Sequence, residues 1–349
     1  MPVSVQHRLL YEVPLKPVQG ERFQPTGFPD IGHAVFERPL EDGRAETVLL
    51  VESAQSMANR LEATGWDEIG QRPLGPLDRL PWVQVVSAQD SSFLTSSRTE
   101  AHRLASAFIK DAVFEVGDSG PVDGKELVRR RLGLRDDVPI APRAIASALL
   151  KLDPLCLVHG VFFAEGAKVW PGQPKVARAL TAFVEATGAQ RAESGGVKKD
   201  HVRHSLSEGE GGTSEGYGTV PFHRTEWVAR QVTGYFCLDR DQLRSYGLGT
   251  AATEMIEAVA LLEVRRLVDG GFRLRTACDL FPLSGEVADQ SGALLPTAAE
   301  LTGRVLEAAQ QCAEELGDGL PLVGKWQPKK PAKASAKHAG EDNGEEQDD

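Results

Sequence analysis

The chain has 349 residues, 41% hydrophobic and 26% charged, with a net charge of −11. That content supports one large domain or two modest ones, and no apolar run approaches the roughly 20 residues that a membrane span needs. The opening MPVSVQHRLLYEV lacks the basic-then-apolar order of a secretory signal, so the expectation is a soluble, cytoplasmic protein with no membrane partner.

The acidity is unevenly spread. Residues 1–97 carry −5 and residues 276–349 carry −8, whereas the middle, 98–275, carries +2 and its stretch 168–206 carries +4. Phosphate binding follows the local potential of a groove and not the total charge. The acidic ends therefore argue against a protein that sticks to any nucleic acid, but do not exclude one that recognises RNA. Cys156, Cys237, Cys278 and Cys312 lie far apart with no CxxC pair, which argues against a zinc site. They read as small core residues, and no metal or other cofactor is expected.

In chain order, Arg8 to Val13 reads as a strand within a Pro/Gly-rich segment, and Thr47 to Val51 as a buried strand. Ala54, Met57, Ala58 and Leu61 repeat at helical spacing, with Gln55, Ser56, Asn59 and Arg60 on the other side and Gly65 as the stop. A strand is predicted at Trp82 to Val86. A helix is predicted from near Arg98, capped by Ser96 or Ser97, with Ala101, Leu104, Ala105, Phe108 and Ile109 as its core stripe. Further on, the expected elements are a helix at Ala144 to Leu152, a strand at Leu155 to Ala164, and a helix at Ala177 to Ala186. A strand follows at Val228 to Leu238, then a long helix at Ala251 to Val268, a strand at Phe272 to Leu280 and a last helix at Ala298 to Leu316.

Residues 188–222 differ in character: a basic stretch with Lys198, Lys199, His201, Arg203 and His204 precedes a Gly/Ser-rich run to Gly216. Such sequence buries no core and is expected to be a mobile loop or hairpin tip. From Lys325 the chain is Lys/Pro/Ala and then acidic, with too few apolar groups to fold. Many connections are long, so an α+β domain with large insertions fits better than a doubly wound sheet.

Enzymatic patterns are weak. Gly117 to Glu126 resembles a phosphate loop, but Ser119 stands where that loop needs glycine and Glu126 where it needs a hydroxyl. His102 and His223 each lie near a carboxylate in sequence, yet there is no HExxH and no GxSxG. Arg129-Arg130-Arg131, the densest basic run, reads equally as a solvated loop or as a contact with RNA or a neighbouring subunit.

Three polar segments are better candidates for binding. Gln55, Ser56, Asn59 and Arg60 open a helix directly after a buried strand, where unpaired N–H groups and the helix dipole favour a phosphate. Ser97, Arg98, His102 and Arg103 combine hydroxyl, guanidinium and an expected helix start. Lys198, Lys199, His223 and Arg224 flank the Gly-rich run, and the last two sit in Pro221-Phe222-His223-Arg224-Thr225-Glu226-Trp227, which interleaves aromatic and basic groups as single-strand binders do.

In order, the segments LLVESAQSMANRLEA, SSRTEAHRLASAFI, HGVFFA, VPFHRTEW and YFCLDRDQLRSYGLG resemble the backbone subunit of type I-G (formerly I-U) CRISPR effectors, in the RAMP superfamily. The likeness runs from about residue 45 to 285. It implies a modified RRM-like, ferredoxin-type core with large insertions and a protruding thumb, for which 193–222 is the candidate here; residues 1–324 are then one domain, and composition makes 325–349 a disordered tail. It further implies a non-catalytic subunit of an antiviral surveillance complex. Its partners are then the CRISPR guide RNA (crRNA), which it binds along the spacer in head-to-tail copies, other copies of itself, other subunits of the effector, and target DNA through the guide. The alternative within the superfamily is a metal-independent endoribonuclease that uses His102 or His223 to process CRISPR RNA.

Overall fold

The computed structural model describes residues 3–28, 31–117, 120–199, 219–317 and 321–328. Alternation of apolar and polar side chains builds its main sheet. Strand β1 (Arg8–Pro17) buries Leu9, Tyr11, Val13 and Leu15 on one face. Strands β2 (Val35–Pro39) and β3 (Ala45–Glu52) follow, then helix α1 (Ala54–Ala63). Strands β4 (Val83–Ser87) and β5 (Phe93–Ser96), the short helix α2 (Ala107–Asp111), and strands β6 (Val113–Glu115) and β7 (Pro121–Asp123) come next. Helices α3 (Gly124–Arg131), α4 (Pro142–Leu152) and α5 (Leu155–His159) lead to a ribbon of β8 (Val161–Phe162) and β9 (Lys175–Val176). Strand β10 (Leu180–Thr187) precedes a hairpin of β11 (Gln190–Lys199) and β12 (Thr219–Val228), and β13 (Gln231–Asp239) follows it. Helix α6 (Thr250–Gly270), strands β14 (Phe272–Arg275) and β15 (Cys278–Pro282), helix α7 (Ala298–Gln311) and strand β16 (Leu322–Trp326) complete the order.

The main sheet has seven strands in the order β14-β15-β1-β13-β10-β3-β2, every neighbouring pair antiparallel. A five-stranded sheet, β7-β6-β16-β4-β5, receives the late strand β16 parallel to β4, with Leu322 opposite Val83. Helix α6 is buried nearly all round, from Ala252 to Val268, as expected of a helix at the centre of a core. It packs against α1, α5 and α7. Each fully enclosed leucine or isoleucine there contributes about 1.5–3 kcal/mol.

Several expectations are corrected. Residues 177–186, expected as a helix, contribute to strand β10, because Leu180, Ala182, Val184 and Ala186 alternate with less buried residues. The run Leu155 to Ala164, expected as a strand, divides into α5 and the two-residue strand β8 at Gly160, whose φ is +77°. Phe272 to Leu280 is a hairpin, not one strand. Arg129, Arg130 and Arg131 end helix α3 and are not in a loop. Lys325 and Trp326 belong to β16, so the folded part extends past residue 324, and the tail from 329 lies outside the described residues. Cys156, Cys278 and Cys312 are buried free thiols and Cys237 is partly buried. Burial pushes the Cys156 thiol up, and that of Cys278 up to about 12.

Candidate nucleic-acid interface

The start of α1 is built as its sequence requires. Ser53 caps it, its hydroxyl accepting from the Ser56 N–H at 3.3 Å. Gln55 and Asn59 are exposed, and Ser56 is half-buried. Arg60 is less free. Its guanidinium donates to the carbonyls of Arg273, at 3.3 Å, and Leu274, and stands 3.8 Å from Glu52.

The second cluster comes apart. No helix begins at Arg98; turns and one 3-10 turn (Arg103–Ala105) precede α2, which Ser106 caps. Ser97 is buried, donating to Asp153 at 2.5 Å and accepting from the Val83 N–H at 3.1 Å. Arg98 is buried with it: Nε lies 2.9 Å from Asp153 Oδ1, an ion-pair distance without hydrogen-bond alignment, and Nη2 donates to the Pro81 carbonyl at 3.0 Å. Arg103 is also buried and donates to both oxygens of Glu62 at 2.6 Å and to the Gly160 carbonyl at 3.1 Å. Neither arginine is available to a phosphate on the surface. Of this set only His102 is exposed. The two clusters nevertheless adjoin, for Asn59 and Glu62 of α1 line a cleft of about 180 Å³ with Trp66, Arg98 and Thr99.

The third cluster lies on the hairpin β11–β12, whose ten-residue strands pair with each other from Gln190↔Val228 to Lys199↔Thr219. The expected thumb, 193–222, falls within it, and residues 200–218 lie outside the described residues. Lys198 is exposed with no ion-pair partner among the described residues, and Lys199 occupies the last position of β11. His223 is exposed and lies 2.9 Å from Glu193 on the opposite strand. Arg224 stands over the Phe222 ring, 5.9 Å from its centroid, and pairs with Glu226 at 2.9 Å.

The base of this hairpin holds residues that sequence reasoning did not select. Glu226 is buried between Arg224 and Arg22, the latter 3.2 Å away. Trp227 bridges to Phe23 through paired backbone hydrogen bonds of 2.9 and 2.8 Å. Its indole N–H donates to His33 Nδ1 at 2.7 Å, and the Arg191 guanidinium lies over its ring. Burial, reinforced by the charges of Arg191 and Arg275, holds the His33 pKa below its ordinary value. The sequence signal for this base was the pattern of Glu226 and Trp227 at the point where polar sequence rejoins a strand.

A family model described as "CRISPR-associated protein GSU0053" matches residues 9–191, just over half of the 349-residue chain. This chain belongs to that family. The match to the GSU0053 family takes in β1, α1, the buried Arg98 and Arg103 pairs and β10, and it ends at the start of the hairpin. No curated protein matches the chain. Among solved structures, one described as "CRISPR RNA-guided surveillance complex, pre-nicking" is 11% identical with a TM-score of 0.39, over 89% of this chain and 90% of that one. Another, "Crystal structure of Thermofilum pendens Csc2", is 12% identical with a TM-score of 0.31, over 89% and 76%. Among the described residues no helix is long and apolar enough to cross a membrane, and no three metal-binding side chains cluster.

Proposed function

We propose that this chain is a non-catalytic backbone subunit of a cytoplasmic CRISPR surveillance complex of type I-G, coating the spacer part of the guide RNA in head-to-tail copies. Membership of a CRISPR-associated family supports the setting. The observation that carries the role is the hairpin β11–β12. Its strands pair with each other at all ten positions and meet Phe23 only at Trp227, and it bears exposed Phe222, Arg224 and a Lys198 with no ion-pair partner among the described residues. An arm of this kind suits a single strand, offering cations to phosphates and an aromatic face to a base.

The topology agrees with an RRM-like, ferredoxin-type core. Reading β1, α1, β10, β13, α6 and β15 as the β-α-β-β-α-β unit gives the sheet order β15-β1-β13-β10, with both helices on the buried side. Strands β2 and β3, the five-stranded sheet and the hairpin are then insertions.

Guide sequences vary, so the contacts fall on phosphates and 2′-hydroxyls, and base pairing with target DNA reads the sequence. Head-to-tail contacts that do not close produce an open filament along the RNA, whose copies bind cooperatively with each other and with the remaining effector subunits.

Co-expression of the full chain with a guide transcript and its effector partners tests this reading. Guide RNA co-purifies at low salt and is shed as salt rises. A protein that ignores the guide under those conditions is not a backbone subunit. Site-specific cleavage of repeat RNA in EDTA, lost on His102→Ala or His223→Ala, establishes the endoribonuclease instead.

A further inference from the structure

Among the described residues, one half-buried arginine has no acid of its own. Both oxygens of the Glu62 carboxylate are engaged by Arg103, so that acid's hydrogen bonds are directed at one guanidinium. Arg178 is half-buried, its backbone lies against Gly160, whose carbonyl Arg103 engages, and its side chain has no hydrogen bond or ion pair among the described residues. Every other buried or half-buried arginine among them meets a carboxylate or a carbonyl: Arg98 meets Asp153, Arg240 meets Glu257, Arg275 meets Glu52, and Arg266 donates to the carbonyls of Thr64 and Gly75. Burial and the nearby charge of Arg103 lower the pKa of Arg178, and only Glu62 opposes them.

The backbone keeps Arg178 there. Gly160, at a φ of +77°, has the Arg178 nitrogen 3.1 Å from the place a Cβ would occupy, and the next residue, Ala179, donates to the Val158 carbonyl at 2.9 Å. A cation fixed beside a like charge without an acid of its own is unfavourable for the free protein. It becomes favourable once an anion arrives.

The surroundings suit an anion carried on a nucleic acid strand. Arg178 leads into β10, the strand on which α1 packs, and α1 presents exposed Gln55 and Asn59. Just upstream, on the ribbon β8–β9, Phe162 is 48% exposed and Lys175 stands over its ring at 5.5 Å from the centroid. The ribbon thus offers an open aromatic face and a second cation within three residues of Arg178. The segment His159 to Ala164, singled out in the sequence for its resemblance, supplies Phe162 and the glycine that fixes Arg178.

We propose that Arg178 binds a backbone phosphate of the guide RNA, and that Phe162 and Lys175 extend this site by stacking a base and holding the adjoining phosphate. The inference rests on the guide-RNA reading and assigns it a contact outside the hairpin.

Fluorescence anisotropy with labelled single-stranded guide RNA tests it, comparing the full-length parent, Arg178→Ala, Arg178→Lys and Phe162→Ala between 50 and 200 mM salt, alongside thermal melts of each protein without RNA. The expected result for Arg178→Ala is about tenfold weaker binding to two unrelated guides alike, and a salt slope smaller by about 0.7. Its melting point stays level or rises, because an unpaired like charge has been removed, and Arg178→Lys recovers part of the affinity. Phe162→Ala weakens binding and leaves the salt slope alone. Equal RNA affinity of Arg178→Ala and parent overturns the inference while the guide-RNA reading stands, as does a melting point that falls with Arg178→Ala, which marks a structural role. A parent that binds no guide RNA overturns both.

Discussion

Arg103 and Glu62, 41 positions apart, are joined inside the protein by two hydrogen bonds of 2.6 Å. The pair ties α1 to the turn before α2, and through the Gly160 carbonyl it reaches the end of α5. Removing one partner leaves a buried charge unmatched, which costs about 3–5 kcal/mol. Arg103→Ala is therefore expected to lower the urea midpoint markedly, and Glu62→Gln to do so by a smaller step. The folded fraction of Arg103→Ala binds guide RNA as the parent does. Normal stability combined with lost RNA binding would return Arg103 to the surface role that its sequence position suggests.

The same pair explains what the sequence conveyed and what it hid. Periodicity revealed α1, α6 and the strands β1, β3, β4 and β13, because a buried stripe imposes spacing on neighbours in the chain. Partners distant in sequence leave no such trace. Ser97, Arg98 and Arg103 read as an exposed phosphate cluster because Asp153 and Glu62, which neutralise them, lie elsewhere in the chain. One clue was present, since Glu62 follows Leu61 and stands four residues after Ala58 on the apolar side of α1. Strand β10 was misread for a different reason. Its alanines and glutamate favour a helix, but its alternation has the period of a strand, and burial against α1 and β13 settles the competition. Leu155 to Ala164 is apolar without interruption, and such a run distinguishes poorly between helix and strand.

The hairpin predicts a change that is purely electrostatic. Lys198 is exposed and unpaired among the described residues, and Lys199 follows it at the end of β11. Replacing both by alanine is expected to reduce the slope of log affinity against log salt by about 1.4 for single-stranded RNA, at some 0.7 per lost phosphate contact. Melting temperature is expected to stay constant, because Lys198 is exposed. Anisotropy titrations at several salt concentrations give the slope. A slope identical to the parent's would remove these lysines from the interface.

His33 makes the base of the hairpin sensitive to acid. The Trp227 indole N–H donates to His33 Nδ1 at 2.7 Å, so this nitrogen must be free of a proton. Burial and the flanking Arg191 and Arg275 hold the folded-state pKa below the reference value of 6.5. The unfolded chain then binds a proton more readily than the native protein, so stability rises with pH across this interval. The contribution is complete above about pH 6.5 and is lost as pH falls through the lower folded value. Urea midpoints at pH 7.5 and pH 5 are expected to differ more for the parent than for His33→Gln, whose amide oxygen still accepts from the indole. Equal differences in the two proteins would show that His33 plays no part.

The glycine of the phosphate-loop resemblance has a packing role that mutation exposes. Gly124 opens α3 where a Cβ would stand 2.0 Å from the Ile109 carbonyl oxygen and 2.9 Å from the Phe114 ring. The carbonyl belongs to α2 and cannot move without displacing that helix, so Gly124→Ala forces α2 and α3 apart. The cost is expected to be about 1–3 kcal/mol, as for other overpacked sites. Lys125→Ala, one residue on and half-buried, is expected to change stability less, since its side chain makes no ion pair among the described residues. If the segment bound a nucleotide, Lys125→Ala would abolish binding of labelled ATP. Paired urea melts and ATP titrations of the two variants decide between a glycine that admits a neighbouring helix and one that cradles a phosphate.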